Sequence, residues 1–130
     1  MLEEVYGAWE QGNYRAGLEL YDPAMTLEVH NPIPDAGVYE GLGGLQRYMR
    51  RFLDSWDGYE TKALGFEADE DRAIVHVHHR GAGQASGARS EMSYFAVWTF
   101  QEDRVVRVDL AQDRDVANQS ARSASVHSGS

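Results

Sequence analysis

The chain has 130 residues, the size of one domain, and its 42% hydrophobic and 25% charged residues are typical of a globular protein. It contains no cysteine, which excludes disulfides, thiolate catalysis and cysteine metal ligands. Its 12 basic residues are outnumbered by 21 acidic ones, and the resulting net charge of −9 is the wrong sign for a nucleic-acid partner.

The sequence gives no indication of a membrane partner or of export. No apolar run approaches the roughly 18–20 residues needed to cross a bilayer. The N-terminus, Met1-Leu2-Glu3-Glu4, is acidic where a secretion signal starts with basic residues. Arg47, Arg50 and Arg51 form one basic cluster that fits the solvated face of a helix. We therefore expect a cytoplasmic protein that binds neither membranes nor nucleic acids.

In chain order, the first half predicts helices around a single strand. Apolar residues at helical spacing predict a helix over Leu2–Gln11, and Asn13 can cap a second short helix. Residues Met25–His30 alternate between apolar and polar, which predicts a strand. Proline and glycine residues in Asn31–Gly41 predict an irregular loop. Residues Leu42–Trp56 carry a continuous apolar stripe and predict the clearest helix.

The second half predicts an antiparallel sheet, because its apolar residues recur at every second position. The predicted strands form two hairpins and cover Tyr59–Ala68, Ala73–Gly81, Ser90–Phe100 and Arg104–Leu110. Three glycines in Gly81–Gly87 predict a loop or a bulged crossing between the hairpins. The Ser-rich segment Arg122–Ser130 predicts a disordered tail, so the domain is assigned to residues 1–121.

Helices followed by an antiparallel sheet make an α+β arrangement with the helices on one face of the sheet. Residues Tyr94–Phe100 are apolar on both faces of their strand, so both faces must be covered. The sequence offers no further element for the second face. A homodimer formed through this outer face is therefore expected.

Several short motifs, in a fixed order, carry a family resemblance. They are Asp35-Ala36-Gly37-Val38-Tyr39-Glu40-Gly41, Gly81-Ala82-Gly83, Ser86-Gly87, Val97-Trp98-Thr99-Phe100, Arg104-Val105-Val106-Arg107-Val108, Asp113 and Ala117. Over roughly Leu2–Ser120, the chain resembles the SnoaL-like (polyketide cyclase-like) branch of the nuclear transport factor 2-like superfamily, in particular its small bacterial members without an assigned function. The resemblance implies a cone-shaped, cystatin-like roll, in which a curved, mainly antiparallel sheet wraps around about three N-terminal helices. It also implies an apolar pocket at the wide end and frequent dimers.

The superfamily contains isomerases, cyclases, hydrolases, dehydratases and binding modules, so the fold alone does not select a function. The catalytic set of ketosteroid isomerases is not matched. Asn31 stands at the position of the base, Val5 at that of the helix tyrosine and Ala96 at that of the second acid. Asparagine does not accept a proton at neutral pH, so the sequence argues against this mechanism.

The aspartate of SnoaL-like cyclases and limonene-type epoxide hydrolases corresponds to Leu110, so that set is not matched either. Asp109 is adjacent but lies on the opposite face of the strand, since neighbouring side chains alternate. A slip of one residue in this count would make Asp109 a candidate acid.

Histidines supply the remaining acid–base candidates. His30, at the end of the first strand, could act as a general base or could be an ordinary strand-end histidine. His76 and His78 share one face of their strand, and His79 shares the other with Val77. Which face points into the pocket stays open, so His78 is a second candidate base. No third ligand for a metal accompanies the alternating pair, and we expect no metal or cofactor.

The expected pocket lining combines aromatic residues with a few polar ones, as suits a flat apolar ligand. It comprises Trp9, Tyr14, Asn31, Tyr39, Tyr48, Phe52, Trp56, His76, Trp98, Val108, Leu110 and Gln112. The sequence thus predicts a small-molecule pocket protein, either a cofactor-independent isomerase, cyclase or hydrolase acting on a hydrophobic oxygenated ligand, or a binding or dimerisation module without catalysis.

Overall fold

The computed structural model describes residues 2–10, 18–31, 33, 36–54, 56–69, 71–83 and 89–128. In those residues it forms three α-helices, a short 3₁₀ helix (Leu18–Leu20) and six strands. In chain order the other elements are α1 (Leu2–Glu10), β1 (Tyr21–Val29), β2 (Gly37–Glu40), α2 (Gly41–Asp54), β3 (Trp56–Asp69), β4 (Arg72–Gly83), β5 (Arg89–Gln101), β6 (Arg104–Ala111) and α3 (Arg114–Ser128). The predicted α+β class is confirmed.

The six strands form one sheet in the order β2-β1-β6-β5-β4-β3. All neighbouring pairs are antiparallel except β1 and β6, which run parallel with Val29 opposite Leu110. The turn between β5 and β6 places Glu102 and Asp103 at φ values of 51° and 67°. Positive φ at both central residues is what a tight hairpin turn requires, and the short polar side chain of Asp tolerates it.

One face of the sheet, the inner face, packs against α1 and α2 and holds the main core. Tyr6 from α1 and Leu45 and Tyr48 from α2 are buried against it. The strands contribute Met25, Leu27, Val29, Val75, Val77, Tyr94, Ala96, Trp98, Val105 and Val108. The sequence left open which side chains of β4 point inward. In the structure Val75 and Val77 lie on the inner face, and the neighbouring His76 and His78 lie on the opposite face.

The opposite face, the outer face, is covered in part by α3. Ala117 and Ala121 of this helix pack on Ile74, Val97 and Ala111. The sequence analysis found no element for this face because the composition of the C-terminal residues resembles a tail. The helix includes residues 122–128 of that predicted tail. A dimer through the outer face stays a prediction, and it no longer follows from an uncovered sheet.

Further boundaries differ from the sequence analysis. The predicted helix Leu42–Trp56 ends at Asp54, and Trp56 begins β3, three residues ahead of the predicted Tyr59. Strand β2 lies inside the segment predicted as a loop and pairs with β1, with Tyr39 opposite Leu27. Strand β1 starts at Tyr21, ahead of the predicted Met25. Strand β4 continues through Gly83. In each case pairing with a distant strand stabilises residues whose local sequence favours a turn. Most of the predicted second helix lies outside the described residues.

Among the described residues, no helix is both long and apolar enough to cross a membrane.

The first turn of α2 offers a test of its packing on β2. A Cβ added at Gly44 would lie 3.0 Å from the Tyr39 carbonyl carbon, whereas one at Gly43 would meet nothing within 4 Å. We expect Gly43→Ala to raise the free energy of unfolding by about 0.5–1 kcal/mol through helix propensity. Gly44→Ala should lose that gain and about 1 kcal/mol more to overpacking. Urea unfolding of both variants measures the difference, and equal stabilisation by both would show that α2 does not pack closely on β2.

Candidate functional site

A buried polar pair lies on the otherwise apolar inner face. His79 projects from β4 and Tyr94 from the neighbouring β5, and they are only 4% and 8% exposed. Their rings stack with centroids 4.5 Å apart and planes 12° apart. His79 Nε2 and the Tyr94 hydroxyl are hydrogen-bonded. The strand register explains the contact, because Tyr94 lies opposite Val77 and so one step diagonally from His79.

The surroundings of this pair keep it uncharged. Burial, with a smaller contribution from the charge of His78, lowers the pKa of His79 to about 3. The imidazole is therefore neutral near pH 7, and one of its nitrogens carries no proton. The Tyr94 hydroxyl donates to Nε2 in one tautomer and accepts from Nε2–H in the other. The pair can therefore present either a hydrogen-bond donor or an acceptor to a third group.

A cluster of aromatic side chains also lies on the inner face. The Trp98 indole Nε1–H donates to the Tyr6 hydroxyl at 3.0 Å, and Tyr21 lies beside Trp98 with ring centroids 5.8 Å apart. Burial raises the pKa of Tyr6 and of Tyr21, so both remain hydroxyls.

The three predicted catalytic residues do not lie on the inner face. Asp109 is completely buried on the outer face of β6, beneath α3, and Leu110 is the residue packed against the inner core. Leu110 therefore faces inward on β6, and Asp109 faces outward. His78 also lies on the outer face, with Nε2 3.7 Å from Glu91 Oε2. His30 directs Nε2 toward Asp109, at 3.6 Å from Oδ1.

Asp109 and His30 thus belong to one outer-face polar cluster, made of Glu28, His30, Arg107, Asp109 and Ser120. Arg107 donates to both oxygens of Asp109, at 2.9 and 3.0 Å, and to Glu28 Oε1 at 2.5 Å. The Ser120 hydroxyl donates to Asp109 Oδ1 at 2.7 Å. Burial acts to lower the pKa of Arg107, but the hydrogen bonds and charges of Asp109 and Glu28 outweigh it and raise that pKa. The sequence could not show this cluster, since its members come from three separate elements.

His76 lines a separate, shallow recess on the outer face. Its ring stacks on Phe95 with centroids 4.5 Å apart. The recess has a volume of about 200 Å³, and Arg114 closes one side through hydrogen bonds to Glu67 at 2.6 and 3.1 Å. His76 therefore does not line the inner face, where the sequence analysis placed it as a pocket residue.

The other predicted pocket residues divide into three groups. On the inner face, Tyr48, Trp98 and Val108 are buried, Leu110 is half-buried, and Tyr39 contacts Tyr48 edge-on with ring centroids 5.2 Å apart. Exposed residues are Asn31, in the turn after β1, and Gln112, after β6. Tyr14 and the side chains of Trp9, Phe52 and Trp56 lie outside the described residues.

Sequence reasoning did not single out His79 as a candidate site residue. It placed His79 on the face shared with Val77, which the structure bears out. The signal that could have identified it is the same alternation. If Val77 faces inward, His79 is the one histidine of its run that must also face inward.

The curved sheet packed on α1 and α2, with an apolar inner face, is the fold of nuclear transport factor 2-like proteins. A family model described as a SnoaL-like domain matches residues 2–108. The chain therefore belongs to the SnoaL-like family. No curated protein matches it by sequence.

Solved structures with the same fold are distant in sequence. An NTF2-like protein from Burkholderia thailandensis is 22% identical, with a TM-score of 0.78 over 92% of this chain and 93% of that one. TerC, co-crystallised with polyporic acid, is 13% identical, with a TM-score of 0.72 over 91% and 92% of the two chains. A protein of ketosteroid isomerase-like fold from Catenulispora acidiphila, in complex with trimethylamine, is 10% identical, with a TM-score of 0.70 over 85% and 82%. These likenesses establish the fold.

The low pKa of His79 predicts a pH dependence of stability. The unfolded chain protonates this histidine below its ordinary pKa of 6.5, whereas the folded protein does so only near 3. Between these values the unfolded state binds more protons, so stability falls as the pH decreases, by at most about 1.4 kcal/mol per pH unit. Urea unfolding across this window should give a shallower pH dependence for His79→Gln than for the wild type. Tyr94→Phe keeps the buried imidazole and serves as the control with the wild-type slope. Equal slopes in all three proteins would contradict the assignment.

Proposed function

We propose that the protein binds a small, apolar, oxygenated molecule at the inner face of its sheet, with His79 and Tyr94 as the polar contact. The observation that carries this proposal is the buried hydrogen bond between these two side chains in an otherwise apolar surface. Ligand sites of this type combine apolar walls with a few placed polar groups.

The hydrogen-bonding capacity of the pair favours a carbonyl or hydroxyl oxygen as its target. With the proton on Nε2, His79 donates to the Tyr94 oxygen, and the Tyr94 O–H then donates to a further acceptor, a role that a ligand oxygen can fill. Because the buried charged side chains among the described residues, Arg72 and Asp109, lie on the outer face with Ile74 and Ala111, an uncharged ligand fits the inner face best.

This arrangement also suits one step of acid–base chemistry. A hydroxyl that donates to a carbonyl oxygen stabilises the negative charge that develops there when the neighbouring carbon loses a proton. Tyr94 would supply that hydrogen bond, and His79 would hold the Tyr94 oxygen in place. Isomerisation, aldol cyclisation and dehydration all pass through such a charge.

Binding without chemistry is the second candidate function, and a specific observation favours it. With its pKa near 3, His79 is a poor proton acceptor at neutral pH, because a base works best when its pKa lies near the working pH. The described inner core offers no carboxylate to take that role.

Two structural neighbours support a small-molecule role. TerC was co-crystallised with polyporic acid, and the Catenulispora acidiphila protein was solved in complex with trimethylamine. Polyporic acid is therefore a practical first probe for this chain.

Quenching of tryptophan fluorescence by polyporic acid and by acetophenone tests the binding proposal, since Trp98 lies on the inner face. We expect saturable binding to the wild type. Loss of one hydrogen bond in Tyr94→Phe should weaken the affinity by about five- to tenfold. His79→Gln should weaken it to a similar extent.

The matched comparison is His78→Gln, because the adjacent histidine lies on the opposite face of the same strand. It should leave the affinity within about twofold of the wild type, since surface substitutions away from a site cost little. Absence of saturable binding to the wild type, or a loss in His78→Gln that equals the loss in His79→Gln, would overturn the proposed site.

Proton transfer is tested separately by nuclear magnetic resonance. Incubation with acetophenone in deuterated water reports exchange at the carbon next to the carbonyl group. Enhanced exchange that disappears in Tyr94→Phe would support catalysis. Binding without enhanced exchange would identify the protein as a binding module for this ligand class.

A further inference from the structure

We propose that Glu28, His30 and Asp109 form a binding site for a divalent transition-metal ion, for which zinc is the best fit. The site lies on the outer face, at the edge of α3, and is independent of the inner-face pocket. It departs from the sequence analysis, which expects no metal. The sequence analysis tested only His76 and His78 as metal ligands, because they alternate on one strand. The pairing of β1 with β6 brings a different set of possible ligands together.

The spacing of the three ligand atoms carries the proposal. His30 Nε2 lies 3.7 Å from Glu28 Oε2 and 3.6 Å from Asp109 Oδ1, and all three atoms lie within 4.8 Å of one another. These separations are too long for hydrogen bonds. Tetrahedral zinc with bonds of roughly 2.0–2.2 Å places its ligands about 3.3–3.6 Å apart. The two separations from His30 Nε2 are therefore close to those between neighbouring ligands of that ion.

A second observation points to the same place. His30 Nε2 is buried and has no hydrogen-bond partner among the described residues, although its side chain is 19% exposed. A buried ring nitrogen without a partner is costly. A cation between the three residues would satisfy it, and the exposed part of the ring gives solvent a route to the site.

Arg107 competes with a metal ion for the two carboxylates, but its hydrogen bonds leave room for the ion beside them. It binds Glu28 through Oε1, so Oε2, the oxygen nearest His30, stays available. Asp109 Oδ1 accepts from Arg107 and from Ser120, and the Ser120 hydroxyl would turn away to admit the ion. The cluster contains two carboxylates and one guanidinium, so one negative charge remains uncompensated beside the histidine nitrogen. This negative charge attracts a further cation.

The fold holds these ligands without the ion. Parallel pairing of β1 with β6 sets Glu28 opposite Asp109. The His30 backbone N–H donates to the Leu110 carbonyl at 2.9 Å, which fixes the end of β1 against β6. Arg107 and Ser120 orient the carboxylates, as outer-shell partners do in known metal sites. One nitrogen and two oxygens suit zinc or a neighbouring transition ion better than magnesium or calcium, which prefer oxygen ligands alone.

Isothermal titration of the full chain with zinc sulfate tests the proposal. We expect one saturable site per chain in the wild type. His30→Gln should weaken the affinity by at least about tenfold, since even the loss of an outer-shell partner of a metal site costs about that much. Glu28→Gln should weaken it as well, and both substitutions are at partly exposed side chains. His78→Gln is the matched control, because among the described residues its Nε2 has one carboxylate neighbour, Glu91, at a similar 3.7 Å, and it should keep wild-type affinity.

Two spectroscopic measurements make the result independent of how well the variants fold. Cobalt bound in place of zinc should give the visible absorption bands of tetrahedral coordination. Nuclear magnetic resonance of the wild-type imidazoles should show zinc shifting the His30 signals first. Absence of saturable binding would overturn the proposal. So would zinc binding that persists in His30→Gln but is lost in His78→Gln, which would assign the ion to the alternating histidines of β4.

Discussion

The parallel pairing of β1 with β6 is the constraint on which the rest of the structure depends. It joins the first half of the chain to the meander of β3 to β6. Its register sets Val29 beside Leu110 and Glu28 beside Asp109, so apolar side chains reach the inner face and carboxylates reach the outer one. A slip of one residue would direct the carboxylates into the core, at a cost of several kcal/mol each without partners. Core formation and the outer cluster therefore depend on the same register.

Strand alternation then gives the two faces different chemistry. On β4, consecutive histidines have unlike surroundings: His78 lies near an exposed carboxylate, and His79 is buried against Tyr94. Burial lowers the pKa of His79 and so makes it a neutral hydrogen-bonding group at neutral pH. On the outer face, Arg107 donates hydrogen bonds to both oxygens of the buried Asp109 beneath α3. The two sites share strands but no side chains.

Much of the fold could be predicted from the sequence because apolar residues recur at every second position along much of the second half, and the family resemblance indicated how the strands and helices are arranged. Local sequence failed where distant contacts decide the structure. Strand β2 forms in a segment typical of loops because β1 offers it a partner. Helix α3 forms in a Ser-rich segment because Ala117 and Ala121 fit closely against Val97 and its neighbours. Helix stability of this kind comes from packing and not from intrinsic propensity.

The two candidate sites could be predicted only where the alternation of side chains along a single strand determines them. The alternation of β4 contains the information that His79 accompanies Val77 inward, but its hydrogen bond to Tyr94 requires the register with β5. His30 and Asp109 were both singled out by their chemistry, yet as alternatives for a pocket. Their contact arises only because parallel strands from opposite ends of the chain are adjacent, and it lies on the face away from that pocket. The histidine and the aspartate that the sequence analysis singled out therefore meet on a face that it did not consider, since the neighbours of a side chain depend on the face of the strand it occupies.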